Sequence, residues 1–144
     1  MAVEWKKILL PQDASLRPVS FKFGAEGSTT TSATYVTVAD SDIALNPANF
    51  AEGGALYVKF IFHIKCTGTG VNGYIRVLRQ NAGTAVTGSE KIGGAGNAWQ
   101  ILETAWIDWA AESGNESYQI QIHADGTQTV EFNSAIMILS HIAY

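Results

Sequence analysis

The chain is expected to be all-β, an antiparallel β-sandwich of jelly-roll type with about eight strands. Three observations point that way. From Leu56 to Cys66 it reads LYVKFIFHIKC, with Leu56, Val58, Phe60, Phe62, Ile64 and Cys66 on one parity and Tyr57, Lys59, Ile61, His63 and Lys65 on the other. Successive strand side chains point to opposite faces, so this is one long strand with a dry face and a mixed face. Similar runs recur along the chain, divided by glycine- and asparagine-rich breaks. The last run is apolar on both parities from Ala135 to Leu139, so it must lie mid-sheet or face another subunit.

Residues 1–20 are expected to be an extended N-terminal arm or a short edge element rather than a helix. Trp5 and Ile8–Leu10 flank the Lys6–Lys7 pair, and Pro11 and Pro18 bracket a polar stretch. Pro11 forces Leu10 out of helical geometry. Trp5, Ile8, Leu9 and Leu10 are costly to leave in water, so the arm either docks on a partner or packs on its own sandwich. The sandwich domain then covers residues 21–144.

Phe21–Phe23 begins the first strand and a polar loop follows through Ser32. Thr34–Val38 is a β-branched strand with Val36 and Val38 inward. Residues 39–54 are a connection with room for one helical turn near Pro47–Phe50. The central strand spans 55–66, and Thr67–Gly73 is a turn because glycine and asparagine tolerate positive φ. Tyr74–Gln80 is the next strand, Asn81–Gly83 a tight turn, Thr84–Ile92 a short strand region and Gly93–Asn97 a loop. Residues 99–109, WQILETAWIDW, carry two patterns. Trp99, Ile101, Ala105, Ile107 and Trp109 share strand parity, whereas Leu102, Trp106 and Trp109 fit helical spacing. The β context and the tryptophans favour a strand. Tyr118–His123 follows, with Tyr118, Ile120 and Ile122 inward and Gln119, Gln121 and His123 outward. Asp125-Gly126 is a hairpin signal that leads into the final strand, Thr129–Tyr144.

With 144 residues, one domain with its own core is expected. Charged residues make up 15% of the chain, against roughly 25% in typical soluble domains. Either other subunits cover part of the surface, or uncharged Thr, Ser, Asn and Gln coat it. A net charge of −4, with no basic cluster beyond Lys6–Lys7, argues against a nucleic-acid partner. Cys66 is the single cysteine, so no internal disulfide forms. The first apolar run, Ile8–Leu10, is three residues long, short of the roughly 7–15 of a signal core. No run approaches the ~20 apolar residues of a membrane-spanning helix. Synthesis in the cytosol without membrane insertion is expected.

No constellation announces a reaction, and the expectation is a non-enzymatic protein without cofactor or metal. His63 and Cys66 are three apart, on opposite strand faces, and His123 and His141 are scattered. No G-x-S-x-G elbow is present. Glu103 and Asp108 with Asp125 or Glu131 make a glycosidase pair only if their separation fits. Gly93–Gly96 has no following lysine and is no phosphate loop. Asp40, Asp42 and Asp125 lie in no dense acidic loop. The aromatic residues Trp99, Trp106, Trp109, Tyr74 and Tyr118 are the feature closest to a binding site. They fit a core or a subunit contact first and a sugar-stacking platform second.

The opening Val3-Glu-Trp-Lys-Lys-Ile-Leu-Leu10, followed by Gln12-Asp13, resembles the start of small tailed-phage virion proteins, including fibre-associated and capsid-decorating ones. The remainder is similar in architecture to their β-sandwich heads and, more distantly, to trimeric jelly rolls of the C1q/TNF type. The resemblance spans some ten residues of the arm, and the histidine- and glycine-rich linkers of full-length fibres are absent. It implies a virion structural protein, assembled in the host cytoplasm, that forms homo-oligomers, expected to be trimers, and attaches to a viral capsid or tail protein. On this reading Trp5, Ile8, Leu9 and Leu10 dock the arm, and Tyr57, Ile61, Met137 and Tyr144 make subunit contacts. The alternative is a carbohydrate-binding module that uses Trp99, Trp106 and Trp109, with a host glycan as partner.

Overall fold

A computed structural model describes residues 19–45, 54–68, 70–108, 116–125 and 127–143. The described residues form twelve strand segments: β1 (Val19–Phe23), β2 (Ser28–Thr30), β3 (Val36–Thr37), β4 (Ile43–Leu45), β5 (Gly54–Cys66), β6 (Gly73–Arg79), β7 (Thr84–Ala85), β8 (Lys91–Gly93), β9 (Gln100–Glu103), β10 (Ile107–Asp108), β11 (Glu116–Ala124) and β12 (Val130–Ala143). They make two antiparallel sheets. In the first, β12 and β5 lie centrally, with β1 and β2 along the free edge of β12 and β9 and β10 along that of β5. In the second, β11 and β6 are central, with β3 and β4 flanking β11 and β7 and β8 flanking β6.

Each edge is thus one strand in two pieces, and eight composite strands result. Their pairing is first with eighth, second with seventh, third with sixth and fourth with fifth. That is a long two-stranded ribbon wrapped into a jelly roll. Split edges leave no long row of free backbone groups, the usual protection of a β-sandwich against edge-to-edge pairing.

The sheets close on one core. Val58, Phe60, Phe62, Ile64 and Cys66 of β5 are fully buried and meet Ile75, Val77, Tyr118, Ile120, Ile122, Phe132, Ala135 and Met137. The strand parity expected for β5 and β11 is the one found. Between the first two segments, which run in the same direction along β12, the edge is interrupted at Gly24, whose φ is +90° and whose α-hydrogen faces the Phe132 ring.

Several expectations are corrected. Asp125-Gly126 closes no hairpin, because β11 and β12 belong to different sheets and the chain crosses between layers there. The turn signal is local, whereas the pairing is decided by the apolar faces that β11 and β12 turn toward each other. Val36 is 42% exposed, since β3 is an edge and its side chain lies beyond the closed core, while Val38 is buried as expected. The Thr84–Ile92 region is two short segments rather than one. Residues 99–108 are not helical: two strand segments are separated by a break at 104–106, and Trp109 lies outside the described residues. Its inward side chains are Leu102, Thr104 and Ile107, whereas Ile101 is 68% exposed. The helical turn near Pro47–Phe50 and the arm residues Trp5, Ile8, Leu9 and Leu10 lie outside the described residues.

Candidate functional site: two outer sheet faces

With the inner faces spent on the core, any site must be built on the outer faces, the edges or the loops. On the β12–β5 sheet, cross-strand register sets the outer residues in rows. One row pairs Lys59 with Ile138, the next joins Lys22, Ile136, Ile61 and Glu103, and the next joins His63 with Ile101. Ile61, Ile136 and Ile138 are half-buried. Two of the flanking lysines are paired within the face, Lys59 with Glu103 at 3.1 Å and Lys65 with Glu131 at 3.0 Å, and a third, Lys22, is exposed at its edge.

Two tryptophans stand at the β9–β10 edge of this face. Trp106, 47% exposed, has the Lys59 ammonium 5.9 Å from its ring centroid. Trp99, 42% exposed, has that of Lys65 at 5.1 Å and the His63 ring at 4.9 Å. Their two lysines are six residues apart on one strand, which sets the tryptophans roughly 20 Å from each other. They are two separate aromatic positions and not one stacked platform, and Trp109 lies outside the described residues.

The end of the sheet around Trp99 is polar. His63 Nδ1 lies 3.1 Å from Asn133 Oδ1, and Asn133 Nδ2 donates to Glu26 Oε1 at 3.2 Å. An amide oxygen only accepts, so Nδ1–H is the donor of this bond and the tautomer it selects presents Nε2 as an acceptor.

The outer face of the β11–β6 sheet holds a cluster that sequence reading did not assemble. His123 stacks on Tyr74 (centroids 4.1 Å, planes 7° apart) and meets Tyr35 edge-on at 4.4 Å. The Tyr35 ring covers the Arg76 guanidinium at 3.8 Å, and its hydroxyl donates to Glu90 at 2.7 Å. Arg76 Nε in turn donates to Gln121 at 2.9 Å. Burial, then the hydrogen bond to the Glu90 carboxylate, pushes the Tyr35 phenol above its ordinary range, with Arg76 opposing. These rings spend their faces on one another, so the cluster reads as a clamp across the sheet. The missing signal was register: Tyr35 and Glu90 are far apart in sequence and meet only through β11 and β6.

The remaining candidates separate. Met137, expected at a subunit contact, is 2% exposed and fills this chain's own core. The outward residues of β12 are its neighbours Ile136 and Ile138, of the opposite parity. Tyr57 and Ile61 are half-buried on the outer face, and Tyr144 lies outside the described residues. Tyr118 is a core residue. His63 and Cys66 face opposite sides of β5, the first outward and the second fully buried. Burial, then the Asp125 charge, raises the Cys66 thiol pKa. Glu103 and Glu131 lie across β5 from each other and four residues out of register. Strand spacings put them roughly 16 Å apart, beyond a glycosidase pair. Asp42 accepts hydrogen bonds from Gln80 and Gln119. Among the described residues, no three His, Cys, Asp or Glu side chains converge as a metal set.

No protein-family model matches the chain, and neither does any curated protein. Solved structures do. Infectious bursal disease virus T=1 particles align over 88% of this chain and 32% of theirs, at 14% identity and TM-score 0.52. A VP2 subviral particle of the same virus aligns over 88% and 33%, at 12% identity and TM-score 0.52. A weaker likeness, TM-score 0.45 at 8% identity over 83% of this chain and 98% of the other, is to the C-terminal CBM6 of LamC, a laminarinase of Zobellia galactanivorans. The chain spans about a third of the length of the capsid chains it matches. At these identities the likeness is one of fold, a β-sandwich shared with viral capsid proteins.

Proposed function

We propose that this chain is a non-enzymatic virion structural protein, a jelly-roll subunit that associates with copies of itself, decorates a capsid or tail, and is assembled in the host cytoplasm. The observation that carries the reading is the aliphatic centre of the β12–β5 outer face. Ile61, Ile136 and Ile138 form a contiguous apolar patch, and the Lys59–Glu103 and Lys65–Glu131 pairs lie at its borders. A chain of net charge −4 repels its own copies over most of its surface. A face whose Glu103 and Glu131 are each matched by a lysine approaches a second copy with less of that penalty. The capsid-protein fold and the low charge content support the same reading, with the trimer as the expected order and the residues up to Pro18 as the docking arm, since Val19 and Ser20 of the expected 1–20 arm pair with β12 as part of β1.

Light scattering across a dilution series tests it. A closed oligomer that Ile138→Glu converts to monomer is the expected result. A wild-type chain that is monomeric at every concentration overturns the homo-oligomeric reading.

A second reading, glycan attachment, is favoured by the exposure of Trp99 and Trp106 at the sheet edge. The two are compatible, because the tryptophans flank the aliphatic centre.

A further inference from the structure

We infer that Trp99, and not the tryptophan set as a whole, is the stacking residue of a site for a neutral pyranose sugar, completed by His63 and Lys65. The site deepens the second reading above and rests on it. Sugar recognition needs an aromatic face for the apolar side of the ring, planar polar groups around it, and a support that does not reorganise on binding. All three are present at Trp99, and fewer at Trp106.

The support comes from the loop before Trp99, which is tied to the end of β5 by its backbone. Cys66 N donates to Gly94 O at 2.7 Å, Asn97 N to Cys66 O at 3.0 Å and Gly96 N to Gly68 O at 2.9 Å. From the other side, Gln100 Oε1 accepts from Gly94 N at 2.9 Å and Gln100 Nε2 donates to Ala95 O at 3.4 Å. Gly94 has φ +79°, and a Cβ there would sit 3.0 Å from Cys66 N, so the loop lies hard against the strand. None of these bonds uses the Trp99 side chain, which the loop holds 42% exposed.

The polar groups are oriented as firmly. The Glu26–Asn133–His63 relay fixes the imidazole with Nε2 as acceptor. The Asn133 side of the relay sits at the β-bulge of β12 between Phe132 and Ser134. Lys65, held by Glu131 at 3.0 Å, supplies donors beside the indole. A sugar ring stacked on Trp99 thus meets an acceptor for one hydroxyl and a donor for another. The cation is already matched by a carboxylate, which favours a neutral sugar over an acidic one. Trp106 has a lysine and its paired glutamate, but no amide–imidazole relay.

The test uses the whole chain on an array of neutral and sialylated oligosaccharides, then a calorimetric titration with the best neutral binder. Wild type should bind neutral sugars. Trp99→Ala should lose at least about tenfold in affinity, the loss of one stacked ring by analogy with base stacking. Trp99→Tyr should keep part of the binding, His63→Ala should weaken it, and Trp106→Ala should leave it unchanged. Because Trp99 is exposed, unaltered thermal melting should accompany the loss in Trp99→Ala. Ile138→Glu should leave sugar binding intact whatever its effect on assembly, which separates this site from the oligomer. No neutral glycan bound by wild type, equal loss in Trp106→Ala, or full retention in Trp99→Ala overturns the proposal.

Discussion

Thr104 Oγ1 accepts the Phe60 amide at 3.0 Å and donates to Ala105 O at 2.8 Å, at the point where the edge strand beside β5 is broken. The Thr104 amide also donates to Phe60 O at 3.0 Å. The same arrangement recurs at two other edges. Ser41 Oγ accepts from Ile120 N at 3.1 Å and donates to Val38 O at 2.7 Å, between β3 and β4. Ser89 Oγ accepts from Val77 N at 3.1 Å and donates to Val77 O at 3.4 Å, between β7 and β8. These three are the buried polar side chains of the described core. Each satisfies a central-strand amide that a split edge would otherwise leave buried without a partner.

Thr104→Val keeps the shape and removes the acceptor. It should cost about 1–3 kcal/mol, because the Phe60 amide is left unsatisfied in the core. Urea denaturation should show the lower midpoint, and Thr104→Ser should recover most of it.

Met137 and Ile138 are adjacent but face opposite ways, and their substitutions should separate stability from association. Met137→Ala should cost about 2–5 kcal/mol in unfolding free energy while leaving the oligomer's contacts in place. Ile138→Glu should lower the solution mass with a smaller effect on the unfolding midpoint. Thermal melts and light scattering on both variants check this.

Gly24 has φ +90°, and an added Cβ would lie 2.7 Å from the Phe132 ring. Gly24→Ala should therefore cost at least the roughly 1–3 kcal/mol of a strained backbone residue. A thermal melt is the measurement.

Tyr35 holds its proton longer in the folded chain than in the unfolded one. Its contribution is fully present below the unfolded phenol pKa of about 10. Above that, the unfolded state ionises first, so stability falls as pH rises toward the higher folded value. Tyr35→Phe should lower stability at neutral pH and flatten the alkaline decline. Denaturant titrations at several pH values between neutrality and strong alkali test the sign.

Cys66 is fully buried and its thiol pKa is raised. The native chain should resist a disulfide reagent that reacts at once after denaturation, and the labelling rate should follow opening of the core. Rapid labelling of the folded chain would contradict this burial.

The alternation in Leu56–Cys66 and Tyr118–His123 was enough to determine the fold class and the inward side chains of the central strands, because a long strand between two sheets has only one dry face. The two-sided apolar run of β12 left a mid-sheet position or a subunit contact open, and the strand lies mid-sheet. These are properties of consecutive residues, and a period of two carries them. What the tertiary structure decided concerns residues distant in sequence. The Asp125-Gly126 turn became a crossing between layers, Met137 turned to the core while Ile138 turned out, and Trp99 and Trp106 separated along the edge instead of forming one platform. The Tyr35–Glu90 clamp and the His63–Asn133–Glu26 relay exist only through cross-strand register. Register is set by how the whole ribbon wraps around its core, and no local pattern encodes it.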